Sequence, residues 1–191
     1  KGMPNFDWMS ELVVKLEDKL DLRGVSKSVV GYDENNAYIG LDWFQDLFDA
    51  IINKTVLRIQ YKTFADVDYD WTIHPYYIKE YNNRWFLFGL NEEKGTIYNA
   101  ALDRIESIEQ VNKEYIPTDI DFEHYFDDVI GVSFSGDKKE PIRLKFSEHR
   151  FPYVMTKALH PSQRIVDVDS RTIEIDVIPN NELEALILSF G

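Results

Sequence analysis

The sequence predicts an α+β fold, and three observations carry that prediction. Short alternating, β-branched and aromatic stretches crowd the middle of the chain between Thr55 and Val111, amphipathic helices stand before them, and the stretch from Pro141 onward returns to a mixture of strand and helix. Closely spaced short strands call for a small barrel or a strongly bent sheet. With 191 residues, 44% hydrophobic and 14% aromatic, the chain has enough apolar material to bury a core, which argues against disorder over most of its length.

From Asp7 to Leu22, Trp8, Leu12, Val13, Leu16 and Leu20 recur at helical spacing with charges between them, the pattern of an amphipathic helix. Val29–Tyr32 and Ala37–Ile39 flank the turn-forming Asp33-Glu34-Asn35-Asn36, predicting a small hairpin or two short extended pieces. Asp42 then reads as an N-cap with Gln45 in the capping-box position. The helix it opens presents Phe44, Leu47, Phe48, Ile51 and Ile52 on one face and ends at Asn53-Lys54. Leu57, Ile59 and Tyr61 alternate against Arg58 and Gln60 as a first strand; further strands follow at Trp71–Lys79, Arg84–Leu90, Gly95–Ala101 and Arg104–Val111. Asn82-Asn83 and Asn91–Gly95 are the turns, and Phe64–Asp70 a longer acidic loop. Tyr115–Lys139, with Pro117, Gly131 and Gly136, reads as a link containing a short helix around Phe122–Ile130. Beyond it, Pro141–Phe146 is a strand and His149–Lys157 a helix. Arg164–Val168 and Thr172–Ile178 form a hairpin, and Asn180 caps a helix over Asn181–Phe190, in βαββα order.

Thirty-four Asp and Glu against 21 Lys and Arg leave a net charge of −13, so the chain as a whole repels a phosphate backbone and is excluded as a broad DNA-tracking surface. A local basic groove survives that argument because salt screens fields over roughly 8 Å. No Cys is present, which removes disulfides, thiolate nucleophiles and Cys-ligated zinc and favours a cytoplasmic setting. No apolar run reaches membrane-spanning length. The start at Lys1-Gly2 and the end at Ser189-Phe190-Gly191 predict a piece of a longer protein.

Enzymatic signatures are missing. Neither Gly-rich phosphate loop occurs, and Gly131–Gly136 has one residue too many for a nucleophile elbow. Asp66, Asp68 and Asp70 imitate the opening of a calcium loop, but Trp71 stands where that loop needs Gly and Tyr77 where it needs Glu. His74, His124, His149 and His160 lack metal-ligand spacing. The sequence therefore predicts no catalytic residues, no metal and no cofactor.

One segment does combine cations with aromatics: Tyr61, then His74-Pro75-Tyr76-Tyr77, then Arg84-Trp85-Phe86-Leu87, then Leu102-Asp103-Arg104-Ile105. Side by side, such groups suit a phosphate and a stacked ring. The aromatics serve equally as core, and Arg84 and Arg104 equally as members of a structural ion pair with Asp103. These residues, with the helix Asp42–Asn53, Asn83-Arg84-Trp85 and the turn at Gly95, resemble the WYL-domain family of bacterial transcription regulators, whose Trp-Tyr-Leu tripeptide stands here as Trp85-Phe86-Leu87. The later stretch, through Lys157–Gln163 and Asn181–Gly191, resembles the extension domain that often follows it.

The resemblance implies a Sm-like, SH3-type small β-barrel over residues 41–115, a linker helix and short hairpin over 1–40, a linker over 116–140, and a βαββα sandwich over 141–191 that is incomplete at its end. It implies a non-enzymatic sensor that binds a nucleotide, short nucleic acid or other anionic effector, acts as a homodimer, and reaches DNA through an N-terminal winged-helix domain outside this chain. The family's basic pocket maps onto Tyr61, His74, Arg84 and Arg104, with Trp85 and Tyr76 shaping it and Lys79 at its edge. Where the family commonly carries an Arg two residues before the Asp of Leu102-Asp103-Arg104-Ile105, this chain has Ala101, which removes one cation and favours a smaller anion over a long oligonucleotide. The alternative from another class is an interaction module whose acidic surface regulates a defence or nuclease partner.

Overall fold

The structure is a computed structural model that describes residues 40–190. The expected helix from Asp7 and the hairpin after it lie outside the described residues. The first described element is a 3-10 turn, Leu41–Trp43, which runs into helix α1, Phe44–Asn53. Asp42 and Gln45 do not cap this helix; its start carries no side-chain cap bond, and Gln45 Nε2 instead donates to Asp49 Oδ1 at 3.0 Å. Tertiary anchors replace the capping box. The Trp43 indole N–H donates to Ile105 O at 2.9 Å, and Gly40, at φ 90°, lies so close to Leu102 and Asp103 that a Cβ would sit 2.3 Å from the Leu102 carbonyl carbon. Leu47 and Ala50 are buried with Phe44 and Ile51 against them, whereas Phe48 and Ile52, expected on the same face, are exposed. The chain leaves α1 through Lys54 in the left-handed region.

Five antiparallel strands follow: β1 Val56–Lys62, β2 Asp68–Tyr81, β3 Arg84–Asn91, β4 Thr96–Ala101 and β5 Ile105–Val111. They pair in the order β4-β3-β2-β1-β5, and the ladder does not close, so the barrel implied by the family takes the form of an open, bent sheet. Register shifts at Gln60/Tyr61 and at Pro75/Tyr77 bend it. The bend brings the end of β1 to the end of β4, where the Tyr61 hydroxyl accepts from the Ala101 N–H at 3.2 Å. Asn82 and Asn83, both at positive φ, make the two-residue turn between β2 and β3. The turn between β1 and β2 is tighter than expected: Thr63 N–H donates to Val67 O, so Asp68 and Asp70 already belong to β2 and only Thr63–Val67 loops out.

The sheet has two faces with different fates. Leu57, Ile59, Trp71, Ile73 and Leu87 point one way and form the main core with Leu47 and Leu102. On the other side, Tyr77 and Phe88 meet the segment after β5, where Phe122 stacks on Tyr77 at 5.1 Å and Phe126 meets Phe88 edge-on at 4.9 Å. The short helix expected around Phe122–Ile130 is instead a series of turns. Its aromatic residues answer to the sheet surface beneath them and not to a helical period, and the segment acts as an aromatic strap.

The remaining elements are β6 Glu140–Lys145, α2 Phe151–Thr156, β7 Arg164–Asp167, β8 Thr172–Val177 and α3 Asn181–Leu188, with the strands ordered β6-β8-β7. Ile173, Ile175 and Val177 of β8 are fully buried and anchor two small cores, one with Ile130 and Leu183, the other with Phe146, Phe151 and Val154. Asn180 caps α3 by accepting from Leu183 N–H at 2.8 Å, and its amide donates to Ile130 O and Ser133 O, which ties the strap to this unit. No helix among the described residues is long and apolar enough to cross a membrane.

Candidate functional site

Two turns and one strand end bring the cations together. Arg84 opens β3 immediately after the Asn82-Asn83 turn, Arg104 closes the 3-10 turn Leu102–Arg104 between β4 and β5, and Phe64 stands in the β1–β2 turn. The guanidinium carbon of Arg104 lies 3.0 Å from the centre of the Phe64 ring and that of Arg84 lies 5.2 Å from it. Phe64 itself is 78% exposed, so one aromatic ring lies over two guanidiniums at the protein surface. Arg84 Nη2 donates to Asp103 Oδ2 at 2.6 Å, which realises the ion-pair alternative for this residue. Arg104 makes no salt bridge among the described residues.

Hydrogen bonding at the site is incomplete. Asp103 Oδ1 and Arg104 Nε are both buried without a partner. Around them lies an aromatic group from the core face: Tyr61 stacks on Trp71 at 4.5 Å, and Trp71 meets Tyr98 edge-on at 4.8 Å. Burial pushes the phenols of Tyr61 and Tyr98 up, while the positive charge of Arg104 pulls both down. That opposition places Arg104 against both hydroxyl-bearing rings. Ala101 is buried, with its N–H on the Tyr61 hydroxyl. Two guanidiniums against one carboxylate leave this cluster with one net positive charge.

Of the residues expected in one pocket, Tyr61, Arg84 and Arg104 gather here; Trp85 lies on the core side, edge-on to Phe44 at 5.0 Å. His74, Tyr76 and Lys79 lie under the strap, on the face that carries Tyr77 and Phe88. His74 is wholly buried; its Nδ1 accepts from Ile116 N–H at 3.0 Å, so its proton lies on Nε2, 2.8 Å from Glu92. Lys113 and then His74 hold the Glu92 carboxyl below its usual range. Tyr76 donates to Ile116 O at 2.8 Å, and Lys79 sits 4.2 Å over the Phe126 ring. These three residues fasten the strap. The alternation of β2 turns His74 and Tyr76 away from Trp71 and Ile73, and the register shift at Pro75/Tyr77 brings Lys79 to that same side while Ile78 takes the core face.

Sequence reasoning missed Phe64 and Tyr98. Phe64 sits in a turn without periodicity, between Thr63 and Ala65, where nothing but its aromatic ring marks it. Tyr98 carries a strand signal that does not distinguish it from core. No group of three or more His, Asp or Glu among the described residues is arranged to hold a metal ion.

Residues 42–110 match the family model of the WYL domain, a span that contains α1, β1 to β4, β5 up to Gln110 and every residue of the Arg84–Arg104 cluster. No curated protein matches the chain. Among solved structures, proteasome accessory factor B/C of Arthrobacter aurescens is similar at 15% identity and a TM-score of 0.39, over 84% of this chain. The chain spans 24% of the length of that structure.

Proposed function

We propose that this chain is the ligand-sensing region of a transcription regulator, and that the effector is a small anion bearing a planar ring, a nucleotide or the end of a short nucleic acid, held at Arg84 and Arg104. The observation that supports this best is the unfinished polar arrangement: a buried Arg104 Nε without a partner, beside two guanidiniums that share the exposed Phe64 ring. A phosphate or carboxylate oxygen can complete the donors of Arg104, and a base can take the stacking position that Phe64 occupies. The single net positive charge and Ala101 favour a compact anion over a long polyanion. Tyr61 and Tyr98 border the site, whereas His74, Tyr76 and Lys79 are not part of it.

In this reading the WYL match over 42–110 supplies the regulatory class. The bent sheet is the sensor, the strap carries its state to the C-terminal unit, and DNA is read by a winged-helix domain on a longer, dimeric protein. Ligand acts only through different affinities for two states of that assembly. Calorimetry of the chain against mononucleotides and short single-stranded DNA and RNA tests the proposal. One probe class binds, and Arg104→Ala and Arg84→Ala each weaken it by about tenfold or more while the far-ultraviolet circular dichroism stays unchanged. Equal affinity in both variants overturns the site.

A further inference from the structure

A second concentration of positive charge lies in the C-terminal unit. Between Pro141 and Gln163 the sequence holds Arg143, Lys145, Arg150 and Lys157 against the single acid Glu148, in a chain whose net charge is −13. The fold gathers these four at two adjoining cavities of about 210 and 430 Å³ that share Arg150, Leu159 and Phe190. Arg143 is neutralised by Glu174, and Lys145 is within electrostatic reach of Asp167. Arg150 and Lys157 form no salt bridge among the described residues, and both are exposed at the mouth of the larger cavity. Its apolar wall is Leu159, Leu186 and Phe190; Tyr153, half exposed, stands beside Phe190 at 6.1 Å.

We propose that this cleft is a second anion site that takes a nucleoside phosphate, with the phosphate on Arg150 and Lys157 and the base against Tyr153 and Phe190. The charge asymmetry is what selects an anion, because the two cavities are lined by Arg143, Lys145, Arg150 and Lys157 and by no acid, and Arg150 and Lys157 are left without a salt bridge among the described residues. The exposed ring beside an apolar wall selects a ligand with a flat apolar part over a bare ion. Helix α3 ends at this cleft, and its terminal carbonyls offset part of the positive field, so the cations carry the attraction and not a helix dipole. The site shares no residue with the Arg84–Arg104 cluster and stands or falls independently of it.

The experiment uses the full chain carrying Arg84→Ala and Arg104→Ala, so that the sheet site cannot contribute. Adenosine monophosphate by calorimetry and a dye-labelled short oligothymidylate by fluorescence anisotropy are the two arms: binding of the first assigns a free nucleotide, binding of the second alone a nucleic-acid end. Adding Arg150→Glu and Lys157→Glu weakens whichever probe binds by on the order of tenfold or more. Tyr153→Ala weakens nucleotide and leaves competition by inorganic phosphate unchanged. All three positions are exposed, so the variants fold. The proposal is overturned if neither probe binds, if the charge reversals leave affinity intact, or if a polyglutamate peptide displaces the probe as well as nucleotide does, which would assign the cleft to an acidic protein surface.

Discussion

The strap-covered part of the β2–β3 hairpin and the rim beside its turn use similar side chains for opposite purposes. Under the strap, His74 has both ring nitrogens engaged, Tyr76 and Tyr115 donate to main-chain carbonyls, and Lys79 lies over Phe126. At the far end of the hairpin, Arg84 and Arg104 meet only one carboxylate, leave a buried nitrogen unpaired, and are covered by a ring that is itself exposed. Completed polar contacts hold a fold together, and unfinished ones in reach of solvent are where a ligand gains affinity. The comparison teaches that residue type alone does not assign a cation to a pocket; the number of partners it already has does.

The largest expected effect breaks the strapped face. Phe88 is 2% exposed and touches Phe122, Tyr125 and Phe126, so Phe88→Ala removes the surface on which the strap rests. It should cost about 3–5 kcal/mol in urea unfolding. His74→Ala comes next, at roughly 2–3 kcal/mol, because it empties a fully buried position, takes the acceptor from the Ile116 N–H and leaves the Glu92 carboxylate with Lys113 alone. A loss below about 1 kcal/mol for either variant would place the strap outside the folded core.

The cation cluster should respond in a graded way. Arg84→Ala strands Asp103, whose side chain is 15% exposed, and should cost about 1–2 kcal/mol. Arg104→Ala removes no ion pair and should change stability by less than about 1 kcal/mol. A reversed order, with Arg104 the costlier loss, would mean that Arg104 is a structural residue and would undo the contrast between the strapped surface and the cation cluster.

How much of this was legible in the sequence follows the same division. Strand periodicity placed β1 to β5 within a few residues of where they lie, because each strand buries one face against Leu47 and Leu102 and so alternates in the sequence. Asn82-Asn83 and the Asn180 cap were readable because positive φ and a free N–H each demand particular residue types. The strap was not readable: Phe122, Tyr125 and Phe126 follow no period, since what fixes them is the aromatic surface of Tyr77 and Phe88, far away in sequence. The start of α1 was misread for a related reason. Asp42 fits a capping box locally, but the Trp43–Ile105 bond and the close approach of Gly40 to Leu102 decide how the helix is entered. Tyr61, Arg84 and Arg104 were recognised as a group, whereas His74 and Tyr76 were added to it against the alternation of β2, and Lys79 lies apart from it because of the register shift at Pro75/Tyr77.

The smallest expected effect sharpens the strapped face by pH. Tyr115 donates to Pro75 O at 2.7 Å, and burial, followed by the neighbouring Tyr76, pushes its phenol up to about 12 from an ordinary value of 10.0. A group whose folded pKa is raised in this way stabilises fully below the unfolded value and loses that contribution as pH climbs through the folded one. Between pH 10.0 and about 12 the unfolded chain gives up this proton while the folded chain keeps it, so stability falls across that window. Tyr115→Phe lacks the titration. Below pH 10.0 it should be less stable than the parent chain by about 1 kcal/mol for the lost hydrogen bond. The gap should narrow as pH rises, because Tyr61, Tyr76, Tyr81, Tyr98 and Tyr125, all held up by burial, titrate in both chains and cancel in the difference. Urea unfolding of the two chains from pH 8 to pH 11 measures that gap, and a constant difference would mean that the Tyr115 hydroxyl is open to solvent and the strap is not seated on β2.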